Sequence, residues 1–179
     1  MSLLRLLFPD LYVPTIFDVD PEYLRRRGIR GLIFDLDNTI LERGGKALPQ
    51  EVLDWFEVLK AQGFKIAIVS NSRSRKAEGM AASHGIPAVF RAVKPRRRPF
   101  LKAIGLMGLT RRETAVVGDQ IFTDVVGGNR LGLFTILINP LPGKEFVGTT
   151  LFSRQLEKLL LPRIWNRHGF SKRPRHGRR

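Results

Sequence analysis

The chain has 179 residues, enough for one domain with an ordinary core, and no cysteine, which excludes a disulfide framework and a thiolate metal centre. Its formal charge of +15, from 31 Lys and Arg against 16 Asp and Glu, points to an anionic partner, either a membrane surface or nucleic acid. No stretch has the apolar length of a transmembrane helix, and Arg5 and Pro9 interrupt the N-terminal apolar run, so neither a spanning segment nor a secretory signal is expected.

In chain order, residues 1–30 form an N-terminal segment set apart from the rest of the chain. Leu3, Leu4, Leu6, Leu7, Phe8 and Leu11 make it rich in bulky apolar side chains. It is too short to span a bilayer. It can lie in the membrane interface or pack on a neighbouring core, and the sequence leaves both placements open. From Gly31 onward strands alternate with helices. Leu32-Ile33-Phe34 suits a strand buried on both faces. Helical spacing of Val52, Trp55, Phe56 and Leu59 predicts a helix from Pro49 to Ala61, ended by Gly63. Phe64 to Val69 reads as the next strand, and a helix capped by Ser72 or Ser74 carries Ala77, Met80 and Ala81. Ala88 to Phe90 is a short strand, followed by a helix over Pro99 to Met107. Thr114 to Val117 is a strand, a helix follows Thr123-Asp124, and Leu133 to Ile138 is the last strand. An amphipathic helix over residues 151–161 closes the pattern at Pro162. Alternation of this kind implies one α/β domain, residues 31–161, with a doubly wound parallel sheet. Residues 162–179 hold seven Lys and Arg from Arg163 to Arg179 and no acid, and are expected to be a disordered basic tail.

On such a sheet the polar residues gather at one edge. Asp35 and Asp37 follow the Leu32–Phe34 strand, Ser70 and Asn71 follow the next, Lys94 lies just beyond the third, and Asp119 follows the fourth. Open α/β sheets bind ligands at this carboxyl edge. An Asp pair alone is weak evidence, since aspartates also form turns. Three carboxylates beside a lysine and a hydroxyl, however, suit Mg²⁺ and a phosphate. In that chemistry Asp35 attacks phosphorus and Asp37 protonates the leaving oxygen, then takes a proton from water. Ser70 and backbone N–H groups near Asn71 hold phosphate oxygens, and Lys94 balances their charge. Asp124 is either a further carboxylate of the metal site or the cap of the following helix. Gly127-Gly128 lacks the spacing of a phosphate loop and reads as a site of close helix packing. His84, His168 and His176 are scattered and read as surface residues.

The segments DLDNT (35–39), VSNS (69–72), VKP (93–95) and GDQIFTD (118–124) resemble, in type and order, the motifs of the haloacid dehalogenase (HAD) superfamily. The resemblance implies a HAD-like Rossmannoid fold in which Asp35 is the nucleophile and Asp37 the acid/base. It further implies a Mg²⁺ site made by the Asp35 side chain, the Asp37 carbonyl and an aspartate of the last motif. That aspartate maps onto Asp119, with Asp124 as a nearer or water-mediated alternative. LLFPDLYVPTIFDVD, GIRGLIFDLDNT, KPRRRPF and GDQIFTDVVGGNRLG are together similar to the YqeG-type HAD IIIA phosphatases, a branch that includes the mitochondrial phosphatidylglycerophosphate phosphatases. The likeness covers about residues 3–160.

The intervals from Asp37 to Ser70 and from Ser70 to Lys94 leave no room for a cap domain, so the site is expected to be open. An open site favours substrates whose own bulk excludes water. Cap, charge and resemblance agree on a phospholipid phosphomonoester, phosphatidylglycerophosphate, and on a cytoplasmic protein peripheral to the inner face of an anionic membrane. Two alternatives remain: a phosphatase of a soluble phosphosugar or a nucleic-acid 3′-phosphate, and a nucleic-acid or ribosome-associated binding protein. The tail offers only Trp165 and Phe170 for stacking on bases, which weighs against the last. The oligomeric state is left open.

Overall fold

Strand residues that are apolar at both parities need cover on both sides, and the chain supplies it. The computed structural model describes residues 3–42, 44–45 and 47–141, which fall within one compact unit. Six strands, β1 (Leu11–Val13), β2 (Gly31–Phe34), β3 (Lys65–Val69), β4 (Ala88–Val89), β5 (Thr114–Gly118) and β6 (Phe134–Ile138), form one sheet in the order β1-β6-β5-β2-β3-β4. All pairings are parallel. The helices are α1 (Pro21–Arg26), α2 (Gln50–Ala61), α3 (Arg75–Ser83), α4 (Arg97–Met107) and the short α5 (Val126–Asn129).

Successive strand residues face opposite sides, which divides the interior into two cores. Leu32, Phe34, Ile66, Ile68, Ala115 and Val117 meet α2 and α3 through Val52, Phe56, Leu59, Met80 and Ala81. The Phe34 and Phe56 ring centroids are 5.0 Å apart. On the other face Ile33, Ala67, Val69 and Val116 meet α4 through Phe100, Ala103, Ile104 and Met107. The sheet is thus wound on both faces, as the alternation predicts. Among the described residues only α2 separates β2 from β3 and only α3 separates β3 from β4, so no cap intervenes.

Sequence reasoning sets residues 1–30 apart; in the structure they contribute to the same sheet. Leu11–Val13 pairs with Ile136–Ile138, and Ile16, Val19 and Leu24 join the α2-side core. The strand is three residues long and lies between Pro9 and Pro14, which hides its periodicity. It is clamped beside its start, where the Asp10 carboxylate accepts from Thr135 N–H (2.9 Å) and Oγ1–H (3.2 Å). Asn129 Nδ2 donates to the Leu6 and Phe8 carbonyls, each at 2.9 Å.

A helix does follow Asp124, but it is only the four residues of α5. A π-type turn, Ile121–Val125, precedes α5, and Asp124 lies inside it without capping α5. Gly127 and Gly128 explain how this part packs so closely. A Cβ on Gly127 would come 2.5 Å from the Phe100 ring, and one on Gly128 2.6 Å from Thr135 Cγ2. The helix expected over 151–161 and the basic tail over 162–179 lie outside the described residues.

Candidate active site

The carboxyl ends of the central strands β2, β3 and β5 converge on one buried cluster. β2 ends at Phe34, so Asp35 stands at the sheet edge, 6 % exposed. The Leu36 N–H donates to Asp35 Oδ1 at 2.7 Å, and Lys94 Nζ approaches the same oxygen at 2.6 Å. Asp35 Oδ2 makes no hydrogen bond among the described residues. The chain then turns sharply. Asn38 adopts φ 61, a left-handed conformation that asparagine tolerates better than most residues, and its N–H donates to Leu41 O at 2.8 Å. This turn places Asp37, half-buried, in a bridge with Leu41.

Lys94 is the charge at the centre. It comes from the segment after β4, and its side chain is only 2 % exposed. Its ammonium donates to Asp124 Oδ1 at 2.7 Å while contacting Asp35. Burial alone would lower its pKa, but the Asp124 and Asp35 carboxylates outweigh burial and hold it above the ordinary lysine range. Lys94 is therefore a fixed cation, not a solvated member of the arginine run around it. Burial pushes the Asp124 carboxyl up to about 6, with Lys94 opposing and Asp35 adding to the rise. At neutral pH both partners are charged.

Asp119 follows β5 and is buried; Thr39 Oγ1 donates to its Oδ1 at 3.3 Å. One carboxylate oxygen from each of Asp35, Asp119 and Asp124 falls within 4.8 Å of the others. Three buried carboxylates against one ammonium leave an excess of negative charge in a nearly dry site, and all the donors are hard oxygens. That set fits a divalent cation such as Mg²⁺. Asp37 is not among the three clustered carboxylates, so any part in holding a cation falls to its carbonyl.

Ser70 directly follows β3 and is fully buried. Its Oγ accepts from Ser72 N–H at 3.0 Å, which leaves the hydroxyl proton for another partner. Ser74, not Ser72, caps α3. The Asn71 Oδ1 accepts from Lys94 N–H at 2.7 Å, so the Asn71 side chain fixes the lysine's backbone.

Three contributors escaped the sequence reading. Thr39 steadies Asp119 from inside the DLDNT motif, and it also lines an apolar cavity of about 140 Å³ with Ile16, Phe17, Val52 and Ile138. Gln120 N–H donates to Asp124 Oδ2 at 3.2 Å. Gly118 makes room for that carboxylate, since a Cβ there would lie 2.4 Å from it. A glycine closing an apolar strand is the signal that could have found it.

A family model described as mitochondrial PGP phosphatase matches residues 1–141. The chain belongs to that family. The probable phosphatase YqeG of Bacillus subtilis is 39 % identical over 158 residues, covering 88 % of this chain and 91 % of that protein. The phosphatidylglycerophosphate phosphatase 1, chloroplastic/mitochondrial, of Arabidopsis thaliana is 33 % identical, covering 92 % of this chain but 50 % of its own length. The chain thus spans about half of that plant relative. A solved HAD superfamily (subfamily III A) hydrolase from Legionella pneumophila shares the fold, with a TM-score of 0.50 at 20 % identity, covering 83 % of this chain and 91 % of that one. This member of the family is accordingly a phosphatase, a phosphoric monoester hydrolase with a Rossmann-like α/β fold.

Proposed function

We propose that the protein removes the terminal phosphate from phosphatidylglycerophosphate, through an aspartyl-phosphate on Asp35, with Mg²⁺ as cofactor and from the cytoplasmic face of an anionic membrane. The observation that carries the chemistry is the buried Asp35–Lys94–Asp124 contact at the carboxyl edge. Lys94 and the Leu36 N–H hold Asp35 Oδ1, which leaves Oδ2 as the attacking oxygen. Attack forms the Oδ2–P bond as the P–O bond to the glycerol breaks, and Asp37 gives its proton to the departing oxygen. Water then attacks phosphorus, Asp37 takes the proton, and Asp35 is released with inorganic phosphate. The Ser70 hydroxyl and the backbone N–H groups near Asn71 hold the phosphoryl oxygens, while Lys94 offsets their charge. Asp35, Asp119, Asp124 and the Asp37 carbonyl would hold the cation, which when bound reduces the repulsion between Asp35 and an anionic phosphate.

The lipid assignment draws support from the plant relative's activity, the net charge and the uncapped edge. The test is hydrolysis of phosphatidylglycerophosphate in mixed micelles against a soluble sugar phosphate and a 3′-phosphorylated oligonucleotide under one set of conditions. The lipid should show the highest kcat/KM. Asp35→Asn should reduce turnover to background, and a chelator should do the same until Mg²⁺ is restored. Preference for either soluble substrate would overturn the lipid assignment; full activity in Asp35→Asn would overturn the mechanism.

A further inference from the structure

The segment after β4 carries surface that neither the fold nor the catalytic chemistry explains. Lys94 is turned into the site, yet Val93 beside it is 54 % exposed and adopts φ 56. That left-handed conformation is unfavourable for a β-branched residue, and an exposed side chain gains little packing in return. Arg91, Arg96, Arg97 and Arg98 are exposed on either side. Arg91 lies 3.8 Å from Glu78, and among the described residues Arg96, Arg97 and Arg98 form no ion pair. Arg97 and Arg98 also open α4, a helix end whose dipole favours acids over bases. Local stability therefore accounts for neither the valine nor the arginines. The segment is nevertheless tied down: Arg91 N–H donates to Ser72 O (3.1 Å), Ala92 N–H to Ser70 O (3.0 Å) and Lys94 N–H to Asn71 Oδ1 (2.7 Å).

We propose that residues 91–98 are a docking surface for an anionic phospholipid bilayer. Val93 enters the interface and Arg96, Arg97 and Arg98 meet lipid phosphates, which brings the Asp35 site to a phosphate borne on the same surface. The reading rests on a membrane-borne substrate for its purpose, though not for the binding itself. Charge complementarity and an apolar tip among guanidinium groups select a bilayer. RNA is disfavoured because the segment RAVKPRRR holds no aromatic side chain on which bases could stack.

The experiment is flotation of the full chain with vesicles of phosphatidylglycerol and phosphatidylcholine, against phosphatidylcholine alone. The wild type should bind the anionic vesicles preferentially. Replacing Arg96, Arg97 and Arg98 together by Gln should weaken that binding roughly ten- to a hundredfold. Val93→Asn suits the left-handed backbone, so it should raise the thermal midpoint while weakening vesicle binding severalfold. Both variants should keep wild-type kcat/KM on soluble p-nitrophenyl phosphate. All of these proteins carry the basic tail, so the differences belong to the 91–98 segment. Wild-type vesicle binding by the arginine variant would overturn the proposal, as would preferential, arginine-dependent binding of an oligoribonucleotide. Vesicle binding that depends on Arg96 to Arg98 without lipid hydrolysis would instead uphold the docking surface and refute the lipid substrate.

Discussion

Asp35 Oδ1 is held by two donors and Oδ2 by none among the described residues, so one carboxylate is divided between anchoring and attack. Such division needs neighbours in register, and Gly118 supplies part of it. Gly118→Ala would drive a Cβ into the Asp124 carboxylate, 2.4 Å away, and β5 is buried along its length. Displacing that carboxylate disturbs Lys94, so activity should fall at least tenfold, with a stability loss of about 1–3 kcal/mol on denaturant unfolding. Asp124 also makes stability depend on pH. Burial raises its folded pKa to about 6, above its unfolded value, so its contribution is fully present below the unfolded value and is lost as pH rises through about 6. With a chelator present, Asp124→Asn should gain in thermal midpoint over the wild type above pH 6 and lose that advantage near pH 4.5. Adding Mg²⁺ should favour the wild type at the higher pH. Asp35, Ser70 and Lys94 were legible because each closes or follows an apolar run. The side-chain bond of Asn71 to Lys94 and that of Thr39 to Asp119 join residues 23 and 80 positions apart, and no local pattern records such pairs.

At the level of elements, α4 is the brace behind the lysine segment. Phe100 is fully buried, and its ring fills the space that Gly127 leaves open. Phe100→Ala should cost about 3–5 kcal/mol, read as a lowered denaturation midpoint with an unchanged m-value. Gly127→Ala should destabilise through the opposite fault, a methyl group forced against that ring. The central strands were readable because β2, buried on both faces, must be apolar throughout. The π-type turn at Ile121–Val125 was not. The Asp124 side chain reaches back toward Gly118 and the Gln120 N–H instead of capping a helix, and that preference depends on the buried Lys94.

At the scale of the molecule, the N-terminal segment is structural as far as it is described. Thr135 is 1 % exposed, and its N–H depends on the Asp10 carboxylate. Asp10→Ala would strand that donor and should cost about 1–3 kcal/mol in denaturant unfolding, while kcat on a soluble ester is retained below the transition. The strand itself escaped the sequence reading because three residues between prolines are too few to show a period of two. Its position has a consequence for biosynthesis. Asp10 and Thr135 are 125 positions apart, so β1 is made long before the strand it pairs with. Until Ile138 has emerged, Leu11–Val13 has no edge to join, and β5 keeps its flank open to other nascent chains. The ordering makes completion of the sheet a late, long-range closure, the kind of step that slows folding and calls on chaperones.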